Sequence, residues 1–525
     1  MKRRDFLRYT VPPAAATTML GSIPIRTLGM ESPLVRALME SPNDTDHVLV
    51  LVQMNGGNDG LNMVIPIDNY SAYQAARSNV AIPQNRILSL SGNSKTGLHP
   101  SMTGIQTLFN EGKAGVIQAV GYPQPDFSHF RATDIWMSAS DSNQFVNSGW
   151  MGRYLDDQYP GFPNGYPNPT MTDPLGIQIG SVTSLTFQGP QVSMGMSISD
   201  PVNFYNLING VQDPAPNSPA GFELTYIRTV ARQTQQYADV IKTAALRVTS
   251  QSTYPTNNNL ADQLKIVARL IKGGLKTRVY MVSIGGFDTH STQVNQGDTT
   301  TGTHANLMKS VSDAIKAFMD DLKFLEIEKR VYGMTFSEFG RRIKSNSSLG
   351  TDHGAAAPVI LFGNYVSGGV LGNSPSIPGN ANVNDNVPMQ YDFRSVYASI
   401  LSNWFCVDNT TLQTVMLKNF QNLPIVKASA CTTTLPPAQD KLLIRNAPNP
   451  FTNSTLITFK TDGGYTSVMI IDTLGRMIAT IVDQEYTGPG EYSVTFNGEK
   501  LAAGVYYARL QNGAVQQVRP MLKVR

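Results

Sequence analysis

The chain has 525 residues, of which 41% are hydrophobic, and a formal net charge of +3 at pH 7. This length suits one large and one small globular domain, and the small net charge gives no reason to expect nucleic acid or an anionic membrane as a partner. Beyond the N-terminus, no apolar run approaches the roughly 20 residues that a membrane span requires.

The N-terminus has the pattern of an export signal. Met1–Arg8 is basic and precedes a modest apolar stretch, Val11–Ile25. Arg3–Arg4 followed by Phe6–Leu7 resembles the twin-arginine signal, which implies the twin-arginine translocase as a partner and export in the folded state. An ordinary basic start is the alternative. We expect residues 1–43 to hold this signal and a poorly defined segment, and the mature chain to lack a membrane span.

Residues 44–434 alternate between apolar runs of strand length and helical patterns. Continuous β-branched and aliphatic runs are typical of strands buried on both faces. The predicted strands are His47–Met54, Ala114–Val120, Arg278–Ile284, Val331–Phe336 and Pro358–Phe362; the predicted helices include Ser101–Asn110, Leu260–Ile271 and His304–Leu325. This alternation predicts an α/β domain with a doubly wound, mostly parallel sheet. Between residues 160 and 219 we expect an irregular insertion with short strands at Gly176–Ile179 and Ser184–Phe187.

The pattern changes after residue 434. Residues 435–441 read as a linker, and residues 442–525 show short alternating strands with no helical pattern, which predicts a β-sandwich. The predicted strands are Ser454–Phe459, Ser467–Ile471, Met477–Val482, Tyr492–Phe496, Gly504–Leu510 and Gln517–Val524. The two cysteines, Cys406 and Cys431, precede this tail and leave open either one disulfide or two free thiols.

Three motifs in the tail point to secretion. They are Asn446–Phe451, Asp472–Arg476 and Leu501–Tyr507. Together they resemble the C-terminal sorting domain of the type IX secretion system. The resemblance implies that machinery as a partner, passage through the periplasm, and a final place at the cell surface or outside the cell. A generic carbohydrate-binding or immunoglobulin-like sandwich is the alternative. A twin-arginine start is atypical for cargo of this system.

Polar side chains follow the buried strands, where open α/β sheets bind ligands. Five of the six histidines lie in or near these segments. The candidate residues are Asn55, Asp59, His99, Ser128, His129, Asp288, His290, His304, Glu338, Asp352 and His353. His99 precedes a helix and could be either a metal ligand or a packing residue. We expect these groups to converge on one edge of the sheet.

Two Asp–His pairs carry the metal hypothesis. Asp288 and His290 are two positions apart, so an extended segment places both on one face. Asp352 and His353 are adjacent, so in a strand-end loop both can turn to one ion. Such ligands suit Zn²⁺, Mn²⁺ or Fe, and two pairs could hold two metal ions about 4 Å apart. The alternatives are turn-forming roles for the aspartates and a backbone hydrogen bond for His353. Glu338 is expected at a helix start, where the helix dipole favours a carboxylate.

Ser128 is the candidate nucleophile. It opens a predicted helix that runs to about residue 139, and a helix N-terminus favours an incoming anion. The alternative is that Ser128 or Asp126 is only the helix N-cap. Arg131 could hold an anionic substrate or could simply be solvated.

Eight segments in order resemble the exported bacterial family catalogued as domain of unknown function 1501. They are Asn55–Asn62, Leu98–Pro100, Ser128–Phe130, Gly149–Leu155, Gly286–His290, Ser337–Arg341, Gly350–Gly354 and Asp392–Ser395. That family is similar in fold to the alkaline phosphatase and sulfatase superfamily. The resemblance implies a metal-dependent hydrolase of phosphate or sulfate esters, with divalent ions (zinc first; manganese, iron or calcium as alternatives).

The same resemblance assigns roles to residues. It implies Asp59, or Asn55 in its place, as the first metal ligand, Ser128 as the nucleophile, and the two Asp–His pairs as further ligands. No histidine follows His353, so His99, His129 or His304 would have to supply the superfamily's last ligand. Because of this departure, the alternative is a non-catalytic surface or polysaccharide-associated protein with a partial metal site.

Overall fold

The computed structural model describes two short strands, β1 (Thr18–Leu20) and β2 (Ile23–Ile25), and then residues 45–201, 237–427, 430–431 and 443–524, except 462, 474, 489 and 513–514. The predicted signal motif at Arg3–Arg4 and the linker 435–441 lie outside the described residues. Thr45–Thr432 forms one compact unit, and the C-terminal residues from Thr433 belong to another.

A nine-stranded sheet forms the centre of the α/β unit. In spatial order its strands are β15 (Gly369–Leu371), β7 (Ala114–Gly121), β14 (Ala357–Gly363), β11 (Val331–Phe336), β3 (Val48–Met54), β10 (Val279–Ile284), β8 (Gly176–Ile179) and β9 (Gly195–Ile198), with β16 (Tyr391–Asp392) also beside β7. Only β14 runs antiparallel to its neighbours, β7 and β11. The predicted mostly parallel sheet is therefore confirmed.

Helices cover both faces of this sheet. They are α1 (Gly60–Met63), α2 (Tyr70–Ala76), α3 (Thr103–Asn110), α4 (His129–Ser138), α5 (Trp150–Gln158), α6 (Asn259–Lys272), α7 (Thr303–Phe324), α8 (Phe393–Asn403) and α9 (Asn409–Met416), and residues 237–247 are also helical. Side chains alternate along a strand, so Val50 and Val52 join the core under α3, α6 and α7, whereas Leu49 and Leu51 join the core under α4, α5 and α8. This two-sided burial explains the uninterrupted apolar run of β3.

Smaller strands complete the unit. β4 (Val64–Pro66), β6 (Asn93–Leu98) and β5 (Leu88–Leu90) form a three-stranded sheet, and β12 (Arg341–Ser345) pairs with β13 (Thr351–His353). Cys406 and Cys431 form a disulfide, with their Cα atoms 5.5 Å apart. None of the helices in the described residues combines the length and apolar content that a membrane span requires.

Three local predictions were wrong. Ser184–Phe187 is not a strand: Leu185–Phe187 is a 3-10 turn, and the Ser184 hydroxyl accepts a hydrogen bond from the Thr186 amide. Glu338 does not begin a helix, because the chain goes from β11 through a short loop directly into β12. Asp352 and His353 lie in β13 rather than in a loop, since this segment pairs with β12.

The C-terminal unit is a sandwich of two antiparallel sheets, as predicted. One sheet contains β17 (Leu443–Ala447), β18 (Ser454–Thr461) and β21 (Gly490–Asn497); the other contains β20 (Met477–Tyr486), β19 (Gly464–Asp472), β22 (Gly504–Asn512) and β23 (Val515–Lys523). Both sheets contribute to one core, Ile457 and Phe459 from the first and Val468, Ile470 and Leu510 from the second. The strand β17 was not predicted, because it precedes the first clear alternating run.

Candidate metal centre

Loops at the carboxyl ends of the parallel strands bring five of the sequence candidates together. Asp288 and His290 follow β10, Glu338 follows β11, and His129 begins α4 after β7. His353 ends β13 and joins them from outside the central sheet. Parallel strands share one carboxyl edge, so residues that are far apart in sequence converge there. The expected convergence at one edge is thus found for this group.

The histidine ring nitrogens face the carboxylate of Asp288. The Nε2 atoms of His290 and His353 each lie 3.1 Å from Asp288 Oδ1 and 2.9 Å from each other. His129 Nε2 lies 3.4 Å from Asp288 Oδ2. Ligand atoms of His129, Asp288 and His353 all lie within 4.8 Å of one another. Three imidazoles therefore surround one carboxylate.

The other ring nitrogen of each histidine contacts an oxygen acceptor. His129 Nδ1 lies 2.9 Å from Glu338 Oε1, His290 Nδ1 lies 2.9 Å from Asp352 Oδ1, and His353 Nδ1 lies 2.8 Å from the carbonyl oxygen of Phe127. A carbonyl or carboxylate oxygen accepts, so each Nδ1 donates, and Nε2 is the ring nitrogen that each histidine turns towards Asp288. In metal sites, a hydrogen bond from the other ring nitrogen to a carboxylate or carbonyl oxygen fixes the orientation of a metal-binding histidine in the same way.

The donor atoms of His129, Asp288 and His353 lie close enough together to hold one metal ion, and His290 lies beside Asp288 and His353. In a tetrahedral zinc site with bonds near 2.0–2.1 Å, neighbouring ligand atoms lie roughly 3.3 Å apart. The separations of 3.1 and 3.4 Å between the histidine Nε2 atoms and the Asp288 oxygens, and of 2.9 Å between His290 and His353, are close to this value. The imidazole and carboxylate donors suit zinc and other borderline cations.

Arg341 was not among the sequence candidates, although it lies within a motif that follows β11. Its buried guanidinium donates to Asp288 Oδ1 at 2.7 Å and to the carbonyl oxygens of Gly57 and Thr351 at 2.6 and 2.8 Å. Burial alone would raise the pKa of Asp288, but hydrogen bonds from Arg341 and His353 lower it to about 2. Asp288 is therefore ionised at neutral pH.

Glu338 and Asp352 contact the Nδ1 atoms of His129 and His290, on the side of each ring away from Asp288. Glu338 is buried and also accepts hydrogen bonds from the Gly56 amide at 2.8 Å and the Ser337 hydroxyl at 3.1 Å. Asp352 also accepts from Asn346 Nδ2 at 3.1 Å. Burial raises the pKa of Asp352, and the hydrogen bond with His290 outweighs that effect and lowers it. Both carboxylates thus orient imidazoles.

Asp59 is not part of this group. It is buried, and both of its oxygens accept from Arg77 Nη1, at 2.8 and 2.7 Å, while Gln293 Nε2 donates to Oδ2 at 2.6 Å. Burial would raise its pKa, but the charge of Arg77 lowers it. The carboxylate is therefore neutralised inside the protein. Asn55 lies beside His129 in the wall of a pocket.

The other two histidine candidates are buried elsewhere. His304 Nε2 lies 3.1 Å from Asn58 Oδ1, and burial lowers the pKa of His304 to about 4. His99 Nδ1 accepts from the Ser101 amide, and burial lowers the pKa of His99 to about 3. Both rings are therefore neutral packing groups at pH 7, and neither touches Asp288.

Ser128 and Arg131 differ in their surroundings. Ser128 is exposed at the N-cap position of α4, yet its hydroxyl makes no capping hydrogen bond, and its amide donates to Asp126 Oδ1 at 2.7 Å. Its neighbours Phe127 and His129 both contact the histidine group. Arg131 instead donates to the carbonyl oxygens of Asp141, Ser142 and Gln144 and lies 4.1 Å from the Phe145 ring. Its guanidinium therefore anchors that loop.

Fold and site together define an α/β protein with a histidine and aspartate cluster at the carboxyl edge of its sheet. The chain belongs to the family described as protein of unknown function (DUF1501), whose model matches residues 46–393. Residues 447–523 match the secretion system C-terminal sorting domain, which indicates export by type IX secretion to the cell surface or outside. Both resemblances expected from the sequence are thus confirmed. Among curated proteins, none matches the chain.

Solved structures to which this chain is similar include a sulfatase, a protein in the alkaline phosphatase superfamily and an alkaline phosphatase. A sulfatase from Pseudoalteromonas sp. is 10% identical with a TM-score of 0.32, covering 89% of this chain and 87% of its own. An alkaline phosphatase superfamily protein from Vibrio parahaemolyticus is 10% identical with a TM-score of 0.31, covering 91% and 82%. Alkaline phosphatase from the Antarctic bacterium TAB5 is 12% identical with a TM-score of 0.26, covering 71% and 98%.

Proposed function

We propose that the chain is an exported metal-dependent hydrolase of phosphate or sulfate esters. The observation that carries this proposal is the group of three imidazoles whose Nε2 atoms face the ionised carboxylate of Asp288. A structural histidine cluster would have its ring nitrogens satisfied by protein partners. Here each Nδ1 has its own acceptor, and the three Nε2 atoms converge on the carboxylate of Asp288, as the ligands of one cation would.

The proposed ligands are His129, Asp288, His290 and His353. Because their donor atoms form one group around Asp288, we propose one ion there, rather than the two expected from the sequence, with zinc as the first choice. When bound, a divalent ion supplies positive charge that polarises an ester oxygen. Asp352 and Glu338 then act as orienting residues for His290 and His129.

Ser128 is proposed as the nucleophile. Its uncapped hydroxyl is exposed at the start of α4, between two residues that contact the histidine group. The N-terminal amides of a helix attract an anionic group, which favours a phosphate or sulfate ester at this position. Arg131 has no part in this proposal, because its guanidinium is engaged by loop carbonyls.

Metal analysis and hydrolysis assays test the proposal. The purified full chain should carry near-stoichiometric zinc, manganese or iron and should hydrolyse 4-nitrophenyl phosphate or 4-nitrophenyl sulfate. His353→Ala should lose the metal, and Ser128→Ala should keep the metal but lose hydrolysis. His47→Gln is the matched control, because His47 stacks on Trp404, away from the cluster. Folded protein that binds no metal would instead favour a non-catalytic surface or polysaccharide-associated protein.

The export route is proposed as twin-arginine translocation followed by type IX secretion. The first step rests on Arg3–Arg4 and the second on the sorting domain at residues 447–523. Arg3→Lys with Arg4→Lys should leave the precursor in the cytoplasm, whereas deletion of residues 438–525 should trap folded protein in the periplasm. Normal export of the double variant would instead mean a general secretory signal.

A further inference from the structure

A pocket of ≈ 390 Å³ lies directly beside the histidine group. His129 and Glu338 line one end of it, and the exposed face of α4 contributes Phe130, Thr133 and Asp134. We propose that this pocket binds the alcohol portion of the ester and that its occupant is a neutral, hydroxyl-rich ring of about monosaccharide size. This inference rests on the proposed hydrolase function and names the substrate class for that same site.

The glycine pair after β10 keeps the pocket open. Gly285 and Gly286 line the pocket together with residues of α4. A Cβ added at Gly285 would meet no atom within 4 Å, so a side chain there would project into open space. At Gly286, whose φ is +101°, a Cβ would meet only the side chain of Leu307, at 3.5 Å. The missing side chains thus leave room for a ligand next to His129.

The polar groups of the pocket favour a ligand with hydroxyls. In the part of the chain that the structure describes, the side chains of Asn55, Thr133 and Asp134 make no hydrogen bond or ion pair, although all three line the pocket. An amide, a hydroxyl and a carboxylate together offer donors and acceptors to a polyol. Ligand pockets combine a few such groups with apolar surface.

The aromatic ring of Phe130 supplies that apolar surface. It is 86% exposed and lies in the pocket wall. An exposed ring can pack on the C–H face of a sugar while the hydroxyls of the sugar bond to the polar wall. The ring and the polar groups therefore select a ligand with one apolar face and a polar edge.

The charge of the pocket excludes a second anionic group. Its walls carry Asp134 and Glu338 and no lysine or arginine. Glu338 is engaged with His129 and Gly56, but Asp134 has no partner in the described residues and would repel a carboxylate or a second sulfate on the alcohol. We therefore expect monoesters of neutral sugars to be preferred over polyanionic ones.

Kinetics with matched substrates test this inference. For the ester type that the protein cleaves, the probes are the methyl ester, glucose 6-phosphate (or 6-sulfate), and the carboxymethyl glycoside of that sugar ester, which keeps the ring and adds one carboxylate. The native chain should prefer the glucose ester to its carboxymethyl glycoside. Gly285→Leu should lower kcat/KM for the glucose ester, relative to that for the methyl ester, by about tenfold or more. Asp134→Asn should narrow the difference in kcat/KM between the two sugar esters, whereas Asp313→Asn, in a distant pair with Lys309, should not.

The outcomes separate this inference from the proposed function. Hydrolysis of all three esters with no effect of Gly285→Leu on the ratio would overturn the pocket assignment and leave the hydrolase proposal intact. If no ester is cleaved, calorimetry with glucose 6-phosphate still tests the pocket assignment. The native chain should bind this compound, and Gly285→Leu should not. Unchanged binding in that variant, or no binding to the native chain, rejects it.

Discussion

Arg341 Nη2 donates to Asp288 Oδ1 at 2.7 Å, from a guanidinium that is fully buried beneath the histidine group. The same side chain donates to the carbonyl oxygens of Gly57, Phe287 and Thr351. It therefore ties together the loop after β3, the loop after β10 and the strand β13, three segments that meet at the site. One buried cation thus fixes the position of Asp288 relative to His353.

Arg341→Lys should weaken metal binding while the protein stays folded. Lysine keeps the charge but cannot reach all of these acceptors at once, so Asp288 loses its fixed position. We expect a loss of about 10–100-fold in affinity for Co²⁺. Titration followed by the visible absorption of the bound cobalt measures both affinity and geometry. Arg445→Lys, in an exposed ion pair of the C-terminal unit, is the control. Equal affinities in both variants would contradict the positioning role.

Asp352→Asn should also weaken metal binding, through His290 alone. The amide oxygen of asparagine still accepts a hydrogen bond from His290 Nδ1. Because this bond is weaker than the one to a carboxylate, His290 Nε2 becomes less basic and binds a metal ion less tightly. We expect an affinity loss of about tenfold and a shift in the Co²⁺ spectrum. Asp352→Ala, which removes the acceptor, should have the larger effect. If Asp352 were itself a ligand, Asn would lose a metal–carboxylate bond and the two variants would behave alike.

His304 should make the protein sensitive to acid. Burial keeps its folded-state pKa at about 4, below the ordinary value of 6.5, although Asp59 opposes the shift. Below pH 6.5 the unfolded chain therefore takes up a proton that the folded chain cannot. Stability is lost as pH falls from 6.5 towards 4, by about 1.4 kcal/mol per pH unit for this group.

Urea unfolding at several pH values measures this effect. His304→Gln keeps an N–H donor for Asn58 but cannot titrate. Between pH 4.5 and 6.5 the variant should show a shallower dependence of unfolding free energy on pH, by about one proton. Parallel curves for the two proteins would mean that other groups dominate acid unfolding.

The disulfide should stabilise the end of the α/β unit. Cys406 and Cys431 are 25 residues apart. A disulfide that closes a loop of that size lowers the conformational entropy of the unfolded chain, which raises the free energy of unfolding by about 3 kcal/mol. The double variant Cys406→Ser with Cys431→Ser should unfold at lower urea and be insensitive to dithiothreitol. The native chain in dithiothreitol should behave like the variant. No difference between oxidised and reduced protein would contradict the prediction.

Much of the fold was readable from the sequence because the signals were local. The seven consecutive buried residues of β3 leave no face for water, so only a strand covered on both sides fits them. In the tail, buried and less buried residues alternate along Ser454–Thr461. This period of two residues is typical of a strand with one face in the core of a sandwich. The short turn at Leu185–Phe187 was missed because a single Ser184 side-chain bond decided it.

The sequence alone determined that acidic and histidine residues follow the strands, and so that they would gather at one edge of the sheet. Tertiary structure decided which of them meet, because an ion pair depends on partners that are distant in the chain. Asp59 lies opposite Arg77, which neutralises it, whereas Asp288 lies opposite three imidazoles and Arg341. Both aspartates follow a buried strand, and only the groups packed against each carboxylate distinguish an internal ion pair from a candidate metal ligand.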